Sequence, residues 1–161
     1  MSPLQFKILF VCMGNICRSP TAEAVFHKKL TDRKLLDKVK VDSAGTHNYH
    51  PNSPPDDRSQ KHALKRGYDL SHLRARPVDE SDFESFDLIL TMDWDNRALL
   101  EERCPEKHFH KIRGLAEFLQ ISKASVIPDP YYGGEEGFEE VLDLIEEASE
   151  GLMKFIQKIP S

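Results

Sequence analysis

Residues 6–20 read FKILFVCMGNICRSP, and this stretch decides the fold. Its first part, Lys7 to Cys12 (KILFVC), is β-rich and carries no turn residue. A strand covered on both faces reads this way, because neither set of alternating side chains meets water. The run leads straight into a helix start. Ser19 and Pro20 suit the N-cap and first helical positions, and Ala22, Val25, Phe26 and Leu30 then recur on one face.

Working outward, the same alternation continues. KVKVDSAG (residues 38–45) predicts a short strand, followed by a turn-rich loop from Thr46 to Asp57, THNYHPNSPPDD, with three prolines. A helix is expected from about Arg58 to Arg66, halted by Gly67. Asp87 to Met92 (DLILTM) reads as a second apolar strand, with a helix from Asp93 to Glu102 behind it and a weaker strand over Phe109 to Ile112. The last helix is the clearest: Phe138, Val141, Leu142, Ile145, Ala148, Leu152, Ile156 and Ile159 recur at spacings of three and four. Glu135, Glu136, Glu139 and Glu140 at its start and Lys154 and Lys158 at its end complement the helix dipole. Strand–helix alternation predicts an α/β fold on a parallel sheet, with function at the carboxyl ends of the strands. The loops there are Cys12 to Ser19, Ser43 to Asp57, and the stretch after Val126-Ile127.

The chain has 161 residues, the size of one domain, and one domain over 1–161 is expected. Its 22 Lys and Arg against 27 Asp and Glu give a net charge of −5, which argues against nucleic acid as a partner. Apolar residues at 39% and charged residues at 30% argue against disorder. No apolar run is long enough to span a membrane, and the start lacks a signal-peptide layout. Three cysteines do not make a secreted disulfide framework, so a cytoplasmic protein with free thiols and no membrane attachment is expected.

The loop CMGNICRS carries the chemistry. Arg18 follows Cys12 at a distance that lets the intervening residues wrap one phosphate dianion. Backbone N–H groups and the helix N-terminus point positive potential at it. Gly14 and Asn15 tolerate the left-handed backbone such a nest requires. Arg18 can grip two phosphoryl oxygens, the same field favours the Cys12 thiolate, and Ser19 can donate to the sulfur when it leaves. A departing aryl or alkyl oxygen also needs an acid. Asp129, held between Pro128 and Pro130 and followed by Tyr131 and Tyr132, is the candidate. The loop is neither a Walker-type nor a dinucleotide cradle, and C-x-x-x-x-C is not a thioredoxin-type pair.

With CMGNICRSP near the start and DPYY at residue 129, the chain resembles the low-molecular-weight protein tyrosine phosphatases from about residue 5 to the final helix. The resemblance implies a three-layer α/β/α fold of Rossmann type, with a four-stranded parallel sheet in the order 2-1-3-4. It implies Cys12 as nucleophile, Arg18 as phosphoryl clamp and Asp129 as general acid and then base, with no metal and no cofactor. The phosphate-binding loop is then Met13, Gly14, Asn15, Ile16, Cys17, Arg18 and Ser19. Asn15, Ser19, Ser43 in DSAGT and His72 in LSHLRARP match a supporting polar network. Met13, Ile16 and Tyr49 on one side, and Tyr131 and Tyr132 on the other, match the cleft walls. Cys17 matches a second loop cysteine that can form a disulfide with Cys12 under peroxide. Ile16, where phosphoarginine phosphatases of this fold resemble one another in carrying Thr, favours phosphotyrosine. The implied substrates are phosphotyrosine proteins or peptides, and the implied state is a monomer, with a weak dimer as the other option.

Two other readings share the loop. An arsenate reductase on this scaffold needs further relay cysteines, and residues 77–95 contain none. A silent phosphotyrosine-binding module needs a displaced Asp129 or a distorted loop. Trp94, just past the DLILTM strand, is expected to pack under a helix.

Overall fold

A computed structural model describes residues 5–130 and 134–159. Among these residues, four strands form one parallel sheet in the order β2-β1-β3-β4, with β1 at Phe6–Cys12, β2 at Val39–Gly45, β3 at Leu88–Thr91 and β4 at Ile112–Gly114. The helices are α1 (Arg18–Asp32), α2 (Asp57–Lys65), α3 (Asp82–Ser85), α4 (Trp94–Arg103) and α5 (Gly134–Gln157). β1 is central, paired with β2 on one side and β3 on the other. Its side chains alternate between two apolar layers, which is why its sequence is apolar without a break. Ile8, Phe10 and Cys12 join Val25 and Phe26 of α1 and Leu142 and Ile145 of α5. Leu9 and Val11 join Phe83 of α3 and Leu100 of α4 on the opposite face. Cys12 therefore leaves the sheet on the α1–α5 side, at the carboxyl end of the central strand.

α5 buries the stripe from Phe138 to Ile156. Ile159 lies beyond the helix and is partly exposed. Gly151 lets the helix touch the turn at Leu115–Phe118, since a Cβ there would stand 1.9 Å from the Phe118 carbonyl oxygen. The acidic start of α5 does more than face the helix dipole. Glu139 pairs with His62 of α2 and with Arg66 at 2.8 Å, tying α2 to α5.

Several local expectations shift. α1 begins at Arg18, with Cys17 in the cap position and no side-chain cap. The Ser19 hydroxyl is turned to the Cys12 sulfur instead of to the helix amides. Residues 106–111 form a 3-10 turn and the strand beside β3 is only Ile112–Gly114, so Phe109 is outside the sheet. α3, four residues long, is too short to show a helical period in sequence. Trp94 is 60% exposed at the start of α4 and does not pack under a helix. No helix among the described residues is long and apolar enough to cross a membrane.

Candidate active site

Past Cys12 the chain must reverse into α1 within a few residues. Asn15 makes this turn with φ at +58°, a left-handed backbone that Asn accepts more readily than bulkier residues. Its side chain pins the turn in place. Nδ2 donates to Ser19 Oγ at 2.8 Å and to Ser43 Oγ at 3.0 Å, and Oδ1 accepts from the Arg76 backbone N–H at 3.0 Å. Both amide protons and the carbonyl are thus engaged, as a buried Asn requires.

The loop carbonyls are tied outward. Cys12 O accepts from Thr46 N–H at 2.9 Å, Met13 O from His47 N–H at 3.0 Å and Ile16 O from Asp56 N–H at 2.8 Å. Across a trans peptide the next N–H points the opposite way, so the amides of Met13, Gly14 and Cys17 turn away from these partners. Gly45 permits the close backing: a Cβ there would lie 2.7 Å from Met13 O.

A cleft of about 260 Å³ opens over the loop, lined by Cys12, Met13, Gly14, Ile16, Cys17, Arg18, Tyr49, His50 and Asp129. Cys12 is at its floor, 3% exposed, with Sγ 3.0 Å from Ser19 Oγ. Ser19 Oγ accepts from Asn15, and its one proton has two acceptors within reach, the Cys12 sulfur at 3.0 Å and Ala44 O at 3.5 Å. Met13 and Tyr49 are exposed at the rim. Asp129 Oδ2 lies 3.9 Å from Arg18 Nη2, so the second-half carboxyl meets the first-half loop. Tyr131 and Tyr132 lie outside the described residues. Among those residues, no cluster of three His, Cys, Asp or Glu side chains is arranged to hold a metal ion.

Cys17 also borders the cleft, yet burial pushes its thiol up to about 12, against the opposing effect of a hydrogen bond from Ser59. It rests as a thiol, unlike a nucleophile that must ionise. All three cysteines are free.

His72 does not join the polar network. It is exposed and borders a separate hollow with Glu23, Lys28 and Tyr68, and it makes no hydrogen bond to Asn15, Ser19 or Ser43. The apolar neighbours explain this. Leu70 is buried and Leu73 packs against the core, and the turn between them, closed by Leu73 N–H to Leu70 O, leaves His72 facing outward. Arg76 N–H and the Glu23 carboxyl stand where the network was expected to include an imidazole; Glu23 Oε1 accepts from Ser43 Oγ at 2.6 Å.

Asp93 is the residue that sequence reading missed. Its Oδ2 is 2.7 Å from Arg18 Nη1, which also donates to Ile127 O at 2.8 Å, so the guanidinium, 2% exposed, is fixed from two sides. The available signal was Asp93 and Asn96 flanking the start of a helix behind an apolar strand, the pattern of a capping box.

Comparison with known proteins agrees with this architecture. Residues 7–160 match the family model of low molecular weight phosphotyrosine protein phosphatases. The chain is 40% identical to the low molecular weight protein-tyrosine-phosphatase YfkJ of Bacillus subtilis, over 94% of this chain and 96% of that protein. It is 44% identical to the low molecular weight phosphotyrosine protein phosphatase of Gallus gallus, over 85% and 87% of the two chains. A crystal structure of the protein tyrosine phosphatase of Entamoeba histolytica, with Hepes in its active site, superposes with a TM-score of 0.93 at 45% identity, covering 96% of this chain and 98% of that one. A sheet of this order, a loop of this build and relatives matched along nearly their whole length lead to one conclusion: the chain belongs to the low molecular weight phosphotyrosine protein phosphatase family and is a phosphatase.

Proposed function

We propose that this enzyme hydrolyses protein phosphotyrosine through a phosphocysteine on Cys12. One observation carries the reading: Cys12 Sγ lies at the floor of an anion-sized loop, 3.0 Å from the Ser19 hydroxyl, with Arg18 closing the loop and Asp129 at its mouth. In the first step the Cys12 thiolate attacks phosphorus, the P–O bond to the aryl group breaks, and Asp129 protonates the departing phenol. In the second step Asp129 takes a proton from water, the water oxygen attacks phosphorus, and the thiolate leaves with Ser19 donating to it. Arg18 and the loop amides stabilise the charge on the transferring group throughout. Since Nη1 is committed to Asp93 and Ile127 O, the Nε–Nη2 edge of Arg18 makes the bidentate contact.

The depth of Cys12 below the exposed Met13 and Tyr49 supports an aryl ester, whose ring reaches farther than a serine or threonine side chain. Ile16 on the wall, rather than Thr, supports phosphotyrosine over phosphoarginine. Free cysteines, including a nucleophile that must stay reduced, suit the cytoplasm. Cys17, placed on the same cleft, is the proposed disulfide partner of Cys12 under peroxide. The test is kcat/KM on matched peptides carrying phosphotyrosine, phosphoserine or phosphoarginine, without added metal. A preference for phosphotyrosine, inhibited by vanadate, is expected; equal or greater turnover of phosphoserine or phosphoarginine overturns the substrate assignment.

A further inference from the structure

A continuous line of hydrogen bonds runs from the nucleophile to a hollow on the other side of α1. Cys12 Sγ meets Ser19 Oγ at 3.0 Å, Ser19 Oγ accepts from Asn15 Nδ2 at 2.8 Å, Asn15 Nδ2 donates to Ser43 Oγ at 3.0 Å, and Ser43 Oγ donates to Glu23 Oε1 at 2.6 Å. Glu23 ends the line. It sits on α1, one turn after Ser19, and borders a hollow of about 400 Å³. Ser43 is nearly buried and has one proton to give, so the carboxyl oxygen of Glu23 decides how its hydroxyl points. That orientation leaves the Ser43 lone pairs for Asn15, whose left-handed backbone shapes the loop.

We infer that Glu23 is a positioning residue for the phosphate loop and works in its neutral form, holding Ser43 and through it Asn15 without placing a negative charge behind the anion site. The inference rests on the phosphocysteine reading of Cys12. A neutral carboxyl still accepts from Ser43 through its carbonyl oxygen, more weakly than a carboxylate does, whereas a carboxylate at this point opposes both the thiolate and the incoming phosphoryl dianion. Burial pushes the Glu23 carboxyl up to about 7; the Ser43 hydrogen bond opposes this, the Asp42 charge adds to it and Arg76 opposes it. Asp42 on β2 and Arg76 are themselves paired at 2.9 Å, so their fields at Glu23 largely cancel. Across the hollow stand Tyr68, Asp69 and His72, and on α1 itself His27, Lys28 and Asp32, charges of both signs on a wet surface where screening is strong. Ionisation of Glu23 therefore acts on the loop mainly through the line of hydrogen bonds and its own charge.

The experiment compares wild type, Glu23→Gln and Glu23→Ala in kcat/KM for p-nitrophenyl phosphate and in calorimetric affinity for inorganic phosphate, from about pH 5 to about pH 8.5. Gln keeps the acceptor for Ser43 and cannot ionise. The ratio of Glu23→Gln to wild type is expected near one at the acid end, rising to about fivefold at the alkaline end in both measurements, with its midpoint near pH 7. Glu23→Ala, lacking the acceptor, is expected about tenfold below Glu23→Gln at the acid end. A Glu23→Gln ratio that does not change with pH overturns the neutral-form claim, and an Ala variant equal to Gln overturns the positioning role. Failure of the underlying reading gives a different result: Cys12→Ser retaining wild-type turnover.

Discussion

The Asp93 carboxylate holds Arg18 from behind, with Oδ2 2.7 Å from Nη1, and the same side chain caps α4 by accepting from Asn96 N–H at 2.9 Å. One residue at the end of β3 thus sets the direction of the guanidinium that closes a loop at the end of β1. An arginine that is buried and already oriented loses little side-chain freedom when it grips phosphate.

Replacing Asp93 separates these two tasks. Asp93→Asn keeps the cap acceptor and loses the ion pair, so phosphate affinity and kcat/KM should each fall about tenfold with little change in melting temperature. Asp93→Ala should add a loss of about 1 kcal/mol in stability from the missing cap. Unchanged phosphate affinity in Asp93→Asn would mean that Arg18 is oriented by Ile127 O alone.

Alkylation distinguishes the loop cysteines. Burial raises both Cys17, to about 12, and Cys104, so both are protonated thiols near neutral pH and poor nucleophiles. Iodoacetate at neutral pH should add one carboxymethyl group to the native enzyme, at Cys12, and none to Cys12→Ser over the same time. Modification of Cys17 at a comparable rate would contradict the assignment.

Glu23 also leaves a mark on stability. Its native carboxyl is raised from 4.5 to about 7, so across that window the native state keeps a proton that the unfolded chain has released. The stability it contributes is complete below 4.5 and is lost as pH rises to about 7. Glu23→Gln has no such slope. Its melting temperature relative to wild type should climb by a few degrees through this window and then level off, whereas a constant offset would contradict the shift.

What could be read from the sequence was local. β1, the loop and the start of α1 are contiguous, so the apolar run, the Cys–Arg spacing and Ser19-Pro20 lay in one short stretch. The relation of Arg18 to Asp93 spans 75 positions and depends on β3 lying beside β1, which no spacing reveals. Glu23 belongs to no motif in the sequence; the parallel register that brings Ser43 opposite Phe10 gives it a partner. His72 was misplaced for the converse reason. The resemblance of LSHLRARP to the family pattern suggested a network member, while the inward pull of Leu70 and Leu73 decided which way the turn faced.

The central claim is a covalent bond between sulfur and phosphorus at Cys12. Its most direct test is intact-protein mass spectrometry of enzyme acid-quenched during p-nitrophenyl phosphate turnover, followed by peptide mapping. Wild type should carry the added mass of one phosphoryl group on Cys12, and Cys12→Ser should carry no such adduct, with turnover reduced at least about 100-fold. Full turnover by Cys12→Ser, or a phosphoryl group carried on another residue, would contradict it.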